Sequence, residues 1–155
     1  MPKASAEQIL YLKTYIEAAR ERIDGLRWFL DQSEPPSGAD RDMLGGAADA
    51  IYEITSGIVQ LAGADPDKYT GLQLLQNTLG YMRKFAQTHQ LPPEVAVPEY
   101  DDGALIIRLA GQSRRPLRMS PAVYHGDVDD SFAFADALFQ VAEVIERQVE
   151  MDASR

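Results

Sequence analysis

The chain has 155 residues and no cysteine, a length that suits one domain burying roughly two-thirds of its unfolded surface. Disulfides, thiolate metal centres, iron–sulfur clusters and cysteine nucleophiles are thereby excluded. The 24 acidic against 15 basic residues leave a net charge of −9, which repels phosphate backbones and anionic lipid and argues against nucleic acid or a membrane surface as partner.

The opening Met1-Pro2-Lys3-Ala4-Ser5-Ala6-Glu7 passes straight into a charged amphipathic pattern, with no apolar signal-peptide core. The longest aliphatic run, Ala104 to Ile107, is far short of the roughly 18–20 residues of a membrane span. A soluble, cytoplasmic protein is the expectation. The charge is uneven: residues 31–69 and 119–155 each hold eight acidic against two basic residues, while 70–118 hold six basic against four acidic.

Ile9, Leu12, Ile16, Ala19, Ile23, Leu26 and Leu30 recur at steps of three and four, which keeps one stripe of a helix apolar. The first helix is predicted over about 5–31, with Ser5 or Ala4 before its first turn and Glu7 inside it, favoured by the helix dipole. Pro35-Pro36-Ser37-Gly38 reads as a loop. A second helix follows over about 40–62, with Asp40 as its expected N-cap and Leu44, Ala47, Ile51, Ile54, Ile58 and Leu61 as its seam. Gly45, Gly46 and Gly57 each weaken it by up to about 1 kcal/mol relative to alanine, so close approach of a neighbouring helix is expected there. Gly63-Ala64-Asp65-Pro66 ends it.

Leu72, Leu75, Leu79, Met82, Ala86 and His89 mark a third helix over about 70–89, closed by Leu91-Pro92-Pro93. The period then changes. Val95, Val97 and Tyr100 alternate, Asp101-Asp102-Gly103 signals a turn, and Ala104 to Leu109 is β-branched and apolar, so a β-hairpin is predicted over about 95–110. A third strand is placed near Pro116–Met119 or Ala122–Tyr124. A final helix over about 131–151 is predicted to be capped by Asp129, Asp130 or Ser131, with Ala135, Leu138, Ala142, Ile145 and Val149 as its seam and a disordered tail at 152–155. Second stripes on the helices, among them Tyr11, Tyr15, Ala18 and Phe29, then Leu74, Tyr81 and Phe85, then Phe132, Phe134 and Phe139, belong to a broad core or to an intersubunit face.

Carboxylates at helical spacing are the most tempting chemical feature, since acids on facing helices build divalent-cation sites. Glu17, Glu21 and Asp24 share one face, as do Asp49 and Glu53, and Glu143, Glu146 and Glu150. The piece Glu21-Arg22-Ile23-Asp24 resembles the Glu-x-x-Asp fragment of the MazG-like nucleotide pyrophosphatases. That resemblance implies a metal-dependent enzyme; with the helical spacing of Asp49 and Glu53 added, Glu21, Asp24, Asp49 and Glu53 are its candidate ligands. The heptad phase opposes it: with Ile9, Ile16 and Ile23 at a, Glu17 and Asp24 fall at b and Glu21 at f. In the second helix Asp49 falls at f and Glu53 at c, and Glu143 and Glu150 flank the last seam. The expectation is therefore a solvated charged face without metal.

His125-Gly126-Asp127-Val128-Asp129-Asp130-Ser131 departs from a calcium loop, because Phe132 and Leu138 stand where glycine and glutamate are needed. With His89 and His125 the only histidines, a multi-histidine zinc site is excluded, and His89 suits a helix C-terminus. No nucleophile elbow, P-loop or dinucleotide fingerprint occurs.

Arg108, Arg114, Arg115 and Arg118 form the one concentrated basic patch. Guanidinium forks there suit a carboxylate, a phosphate or an acidic partner, unless they serve to neutralise the protein's own acidic helices. The sequence thus predicts a mainly α protein, an antiparallel bundle of four principal helices with a small β-hairpin before the last. It is expected to bind another protein through the arginines without catalysis or cofactor, as an adaptor, assembly chaperone, immunity protein or inhibitor, with a homodimer accounting for the surplus apolar stripes. The alternatives are the metal-dependent helical enzyme and a regulator that binds a small anion through the same arginines.

Overall fold

Ser5 opens the first helix with a reciprocal cap: its hydroxyl accepts from the Gln8 N–H at 3.1 Å while Gln8 Oε1 accepts from the Ser5 N–H at 2.9 Å. Two donors that the first turn would otherwise leave orphaned are thereby satisfied. The helix, α1, spans Ala6–Leu30, and α2 (Ala39–Leu61), α3 (Gly71–Thr88) and α4 (Val128–Ala153) follow. The computed structural model describes residues 4–31, 39–93, 95, 97–101, 104–107, 117–119 and 128–155. The protein is mainly α, with these four helices packed together.

Each predicted helix has its counterpart, with shifted ends. α2 begins at Ala39, which puts Asp40 inside the first turn and not at the N-cap. It ends where Gly63 adopts φ 87°, with the Gly63 N–H bonding to Gln60 O and the Ala64 N–H to Val59 O. This is a Schellman closure, whose left-handed residue suits glycine. Pro66–Lys68 then form a short 3₁₀ turn, capped by the Asp65 side chain, in the segment predicted only to end the helix. A second reciprocal cap, Thr70 with Gln73, starts α3.

α4 begins three residues before the predicted start. Asp129, Asp130 and Ser131 consequently lie within its first turn instead of capping it, and Ser131 is fully buried. At the other end the helix continues to Ala153, and the Ser154 N–H bonds to Glu150 O.

The core lies where α1, α2 and α4 meet. Leu12, Ile16 and Ile23 of α1, Ile54 and Ile58 of α2, and Phe134, Leu138 and Ile145 of α4 are at most 1% exposed. Burying each such side chain is worth about 1.5–3 kcal/mol. α3 packs mainly on α2, contributing Leu75, Leu79 and Met82. Its buried Thr78 hydroxyl donates to Thr55 O at 3.4 Å. α2 is the central helix, and every residue from Glu53 to Val59 is buried.

Among the described residues the three-four stripes face inward as predicted, except at their edges, where Leu30, Ala86 and His89 are half-buried; the side chain of Leu44 lies outside the described residues. Leu72 is exposed at the start of α3, and Ile9 and Val149 are half-buried. Of the second stripes, Leu74, Phe85, Phe134 and Phe139 are buried, Tyr15, Ala18, Phe29, Tyr81 and Phe132 are half-buried, and Tyr11 is exposed.

Between α3 and α4 the described chain is confined to short stretches, among them Glu99–Asp101, Ala104–Ile107 and Leu117–Met119. No helix among the described residues is long and apolar enough to cross a membrane.

Candidate functional site

The acidic side chains that the sequence grouped as ligands are drawn to cations of neighbouring helices. Arg22 lies on the flank of α1 that meets α2. Its Nε donates to Glu53 Oε1 at 2.7 Å, and its Nη1 lies 3.5 Å from Asp49 Oδ2. The hydrogen bond to Glu53, reinforced by the charges of Glu53, Asp49 and Glu21, raises the Arg22 pKa above its ordinary value despite partial burial. One guanidinium thus bridges the two carboxylates that the pyrophosphatase-like reading would have given to a metal.

The remaining members of that set lie elsewhere. Asp24 is 3.6 Å from Arg27 Nη1 on its own helix, and Glu21 is exposed. Among the described residues, no three His, Asp or Glu side chains are grouped so as to hold a metal ion.

Glu53 corrects the phase argument. Its heptad position was expected to face water, yet it is only 9% exposed. The reason is the closeness of α1 along this side of α2: a Cβ placed on Gly57, one turn on, would lie 3.2 Å from Tyr15 Cβ. Burial leaves Glu53 Oε2 without a hydrogen-bond partner, and the Ser56 hydroxyl is unpartnered as well. Buried polar atoms of this kind cost about 1–3 kcal/mol each.

The opposite flank of α1 carries a set of ion pairs to α4. Lys13 pairs with Glu150, Arg20 with Glu143 at 3.3 Å, and Arg27 with Asp136 at 3.2 Å. Partner numbers on α4 fall by seven as those on α1 rise by seven, so the two helices run antiparallel in one fixed register. All the cations stand on α1 and all the anions on α4. Arg20 also pairs with Glu17 and lies over the Phe139 ring, and Arg27 lies over Phe132. These pairs are substantially exposed, so each is worth about 0.2–1 kcal/mol. Their common spacing sets alignment more than it adds strength.

Glu146, one turn before Glu150, sits half-buried beside this row. Burial raises its pKa above the usual glutamate value; Arg20 and Lys13 oppose that rise, and Glu143 and Glu17 add to it. The α1–α2 register runs antiparallel too, since Gln8 Nε2 donates to Gln60 O at 3.2 Å while Arg22 reaches Glu53.

His89 takes up the C-terminal position expected of it: its N–H caps α3 by bonding to Phe85 O, and its ring stacks on Phe85 with centroids 4.2 Å apart. Arg108, Arg114 and Arg115 lie outside the described residues, as do His125 and Asp127, and so does the side chain of Arg118.

The outer surface of α1 offers a broad depression lined by Lys13, Thr14, Glu17, Ala18 and Glu21. Being open and charged along one helix, it lacks the enclosing apolar walls of a small-molecule site. Large apolar side chains are exposed at Leu10, Tyr11, Trp28 and Tyr52.

No family model matches the chain, and no curated protein and no solved structure does.

Proposed function

We propose that the chain is a non-enzymatic protein-interaction domain, of the adaptor, assembly-chaperone, immunity or inhibitor kind. It recognises an acidic protein partner through Arg108, Arg114, Arg115 and Arg118. The observation that carries this reading is how the helices treat their own charge. Asp24, Asp49, Glu53, Asp136, Glu143 and Glu150 all have helix-borne cations as partners, namely Lys13, Arg20, Arg22 and Arg27. Those six carboxylates are paired without drawing on the arginine patch, which supports a role for the patch in engaging a guest.

In this reading the arginines are borne by a small β element inserted before α4. Backbone pairings support it: Glu99–Asp101 runs antiparallel to Ala104–Ile107, with Tyr100 opposite Leu105, and Leu117–Met119 pairs with the other edge of Ala104–Ile107, with Arg118 opposite Ile106. Of the two placements weighed for a third strand, this pairing favours the one near residues 116–119. Guanidinium groups on such an element can engage carboxylates two bonds at a time. The metal-dependent enzyme loses ground, because Arg22 occupies the approach between Asp49 and Glu53.

The test joins capture to charge removal. The intact tagged chain is used to isolate its partner from the native host, the partner is identified, and its affinity is measured for the intact chain and for the combined variant Arg114→Ala, Arg115→Ala, Arg118→Ala. The variant should keep the helical circular dichroism of the parent and lose the partner. Affinity of the intact chain should also fall with rising salt, as expected of a charge-steered contact. Equal affinity of variant and parent would overturn the assignment. A chain that stays monomeric and retains no protein would count against the interaction reading as a whole.

A further inference from the structure

We draw no further inference here: the strongest candidate, the outer α1–α2 face with exposed Tyr11 and Tyr52 and the unpartnered Glu53 Oε2 and Ser56 Oγ, carries nothing because nothing in the structure shows what covers it.

Discussion

Replacing Gly57 with alanine sets two known effects against each other at one position. Alanine is the better helix former by about 0.8–1.0 kcal/mol, so propensity alone predicts a more stable protein. The added methyl, however, would lie 3.2 Å from Tyr15 Cβ and 3.4 Å from Leu12 Cδ1, inside the 3.5–4.0 Å or so at which carbon atoms attract. A Cβ cannot swing aside as a side-chain tip can, so α1 must move outward along the seam that aligns Leu12 and Ile16. Overpacking of this kind costs about 1–3 kcal/mol, which leaves Gly57→Ala neutral to about 2 kcal/mol less stable.

The control is Gly25→Ala, in the interior of α1, where an added Cβ meets nothing within 4 Å. It should gain up to about 1 kcal/mol, which in a chain of this size raises Tm by roughly 2–4 °C. Thermal and urea unfolding followed by far-ultraviolet circular dichroism would compare the two. Equal stabilisation by both substitutions would refute the argument that Gly57 sets the distance between α1 and α2.

Other predictions address charge and capping. Arg22→Met should cost about 1–3 kcal/mol by leaving the Glu53 carboxylate buried without its donor. Combining it with Glu53→Gln should recover part of that loss in a double-mutant cycle on urea midpoints; strictly additive changes would show that the pair is not coupled. Glu146 has a raised folded-state pKa, so its proton is held more tightly in the folded chain, and stability falls as the pH climbs above the ordinary glutamate value of 4.5 until the raised pKa is passed, where the loss is complete. Glu146→Gln should therefore raise Tm near neutral pH, and the advantage should vanish well below 4.5, the ordinary glutamate value. A benefit that does not change with pH would have another origin. Thr70→Ala removes the cap of α3 and should cost about 1 kcal/mol, measurable as a lower urea midpoint; an unchanged midpoint would mean the cap is replaceable.

The helices were legible because Leu12, Ile16, Ile23, Ile54, Ile58, Leu138 and Ile145 recur at the pitch of a helix and nothing else in the chain competes with that signal. The glycines of α2 were legible only in part. Gly57 does admit a close neighbour, and Gly46 meets the flexible tip of Leu26, but a Cβ on Gly45 would touch nothing. Glu53 was misread because its burial comes from a different helix, and a heptad assigned to α2 alone holds no record of where Arg22 arrives.

The start of α4 differs from the predicted one as well. Asp129, Asp130 and Ser131 are residue types favoured at caps, yet the helix begins ahead of them at Val128, and Ser131 is buried. The α1–α4 pairs could have been anticipated. Lys13, Arg20 and Arg27 are spaced by seven in the sequence, as are Asp136, Glu143 and Glu150. The phase of the acids alone does not reveal the match, which appears only when the cations that repeat at the same interval are set beside them.

The division of charge across that seam also determines which helices can associate. Two copies of α4 laid side by side would confront Asp136, Glu143 and Glu150 with their own kind, and two copies of α1 would do the same with Lys13, Arg20 and Arg27. A slip of α4 by one turn would take Glu143 from Arg20 and Asp136 from Arg27. Each rung is weak by itself, but together they work as a keyed lock: they exclude wrong pairings more than they reward the right one, and they reserve the place beside α1 for α4.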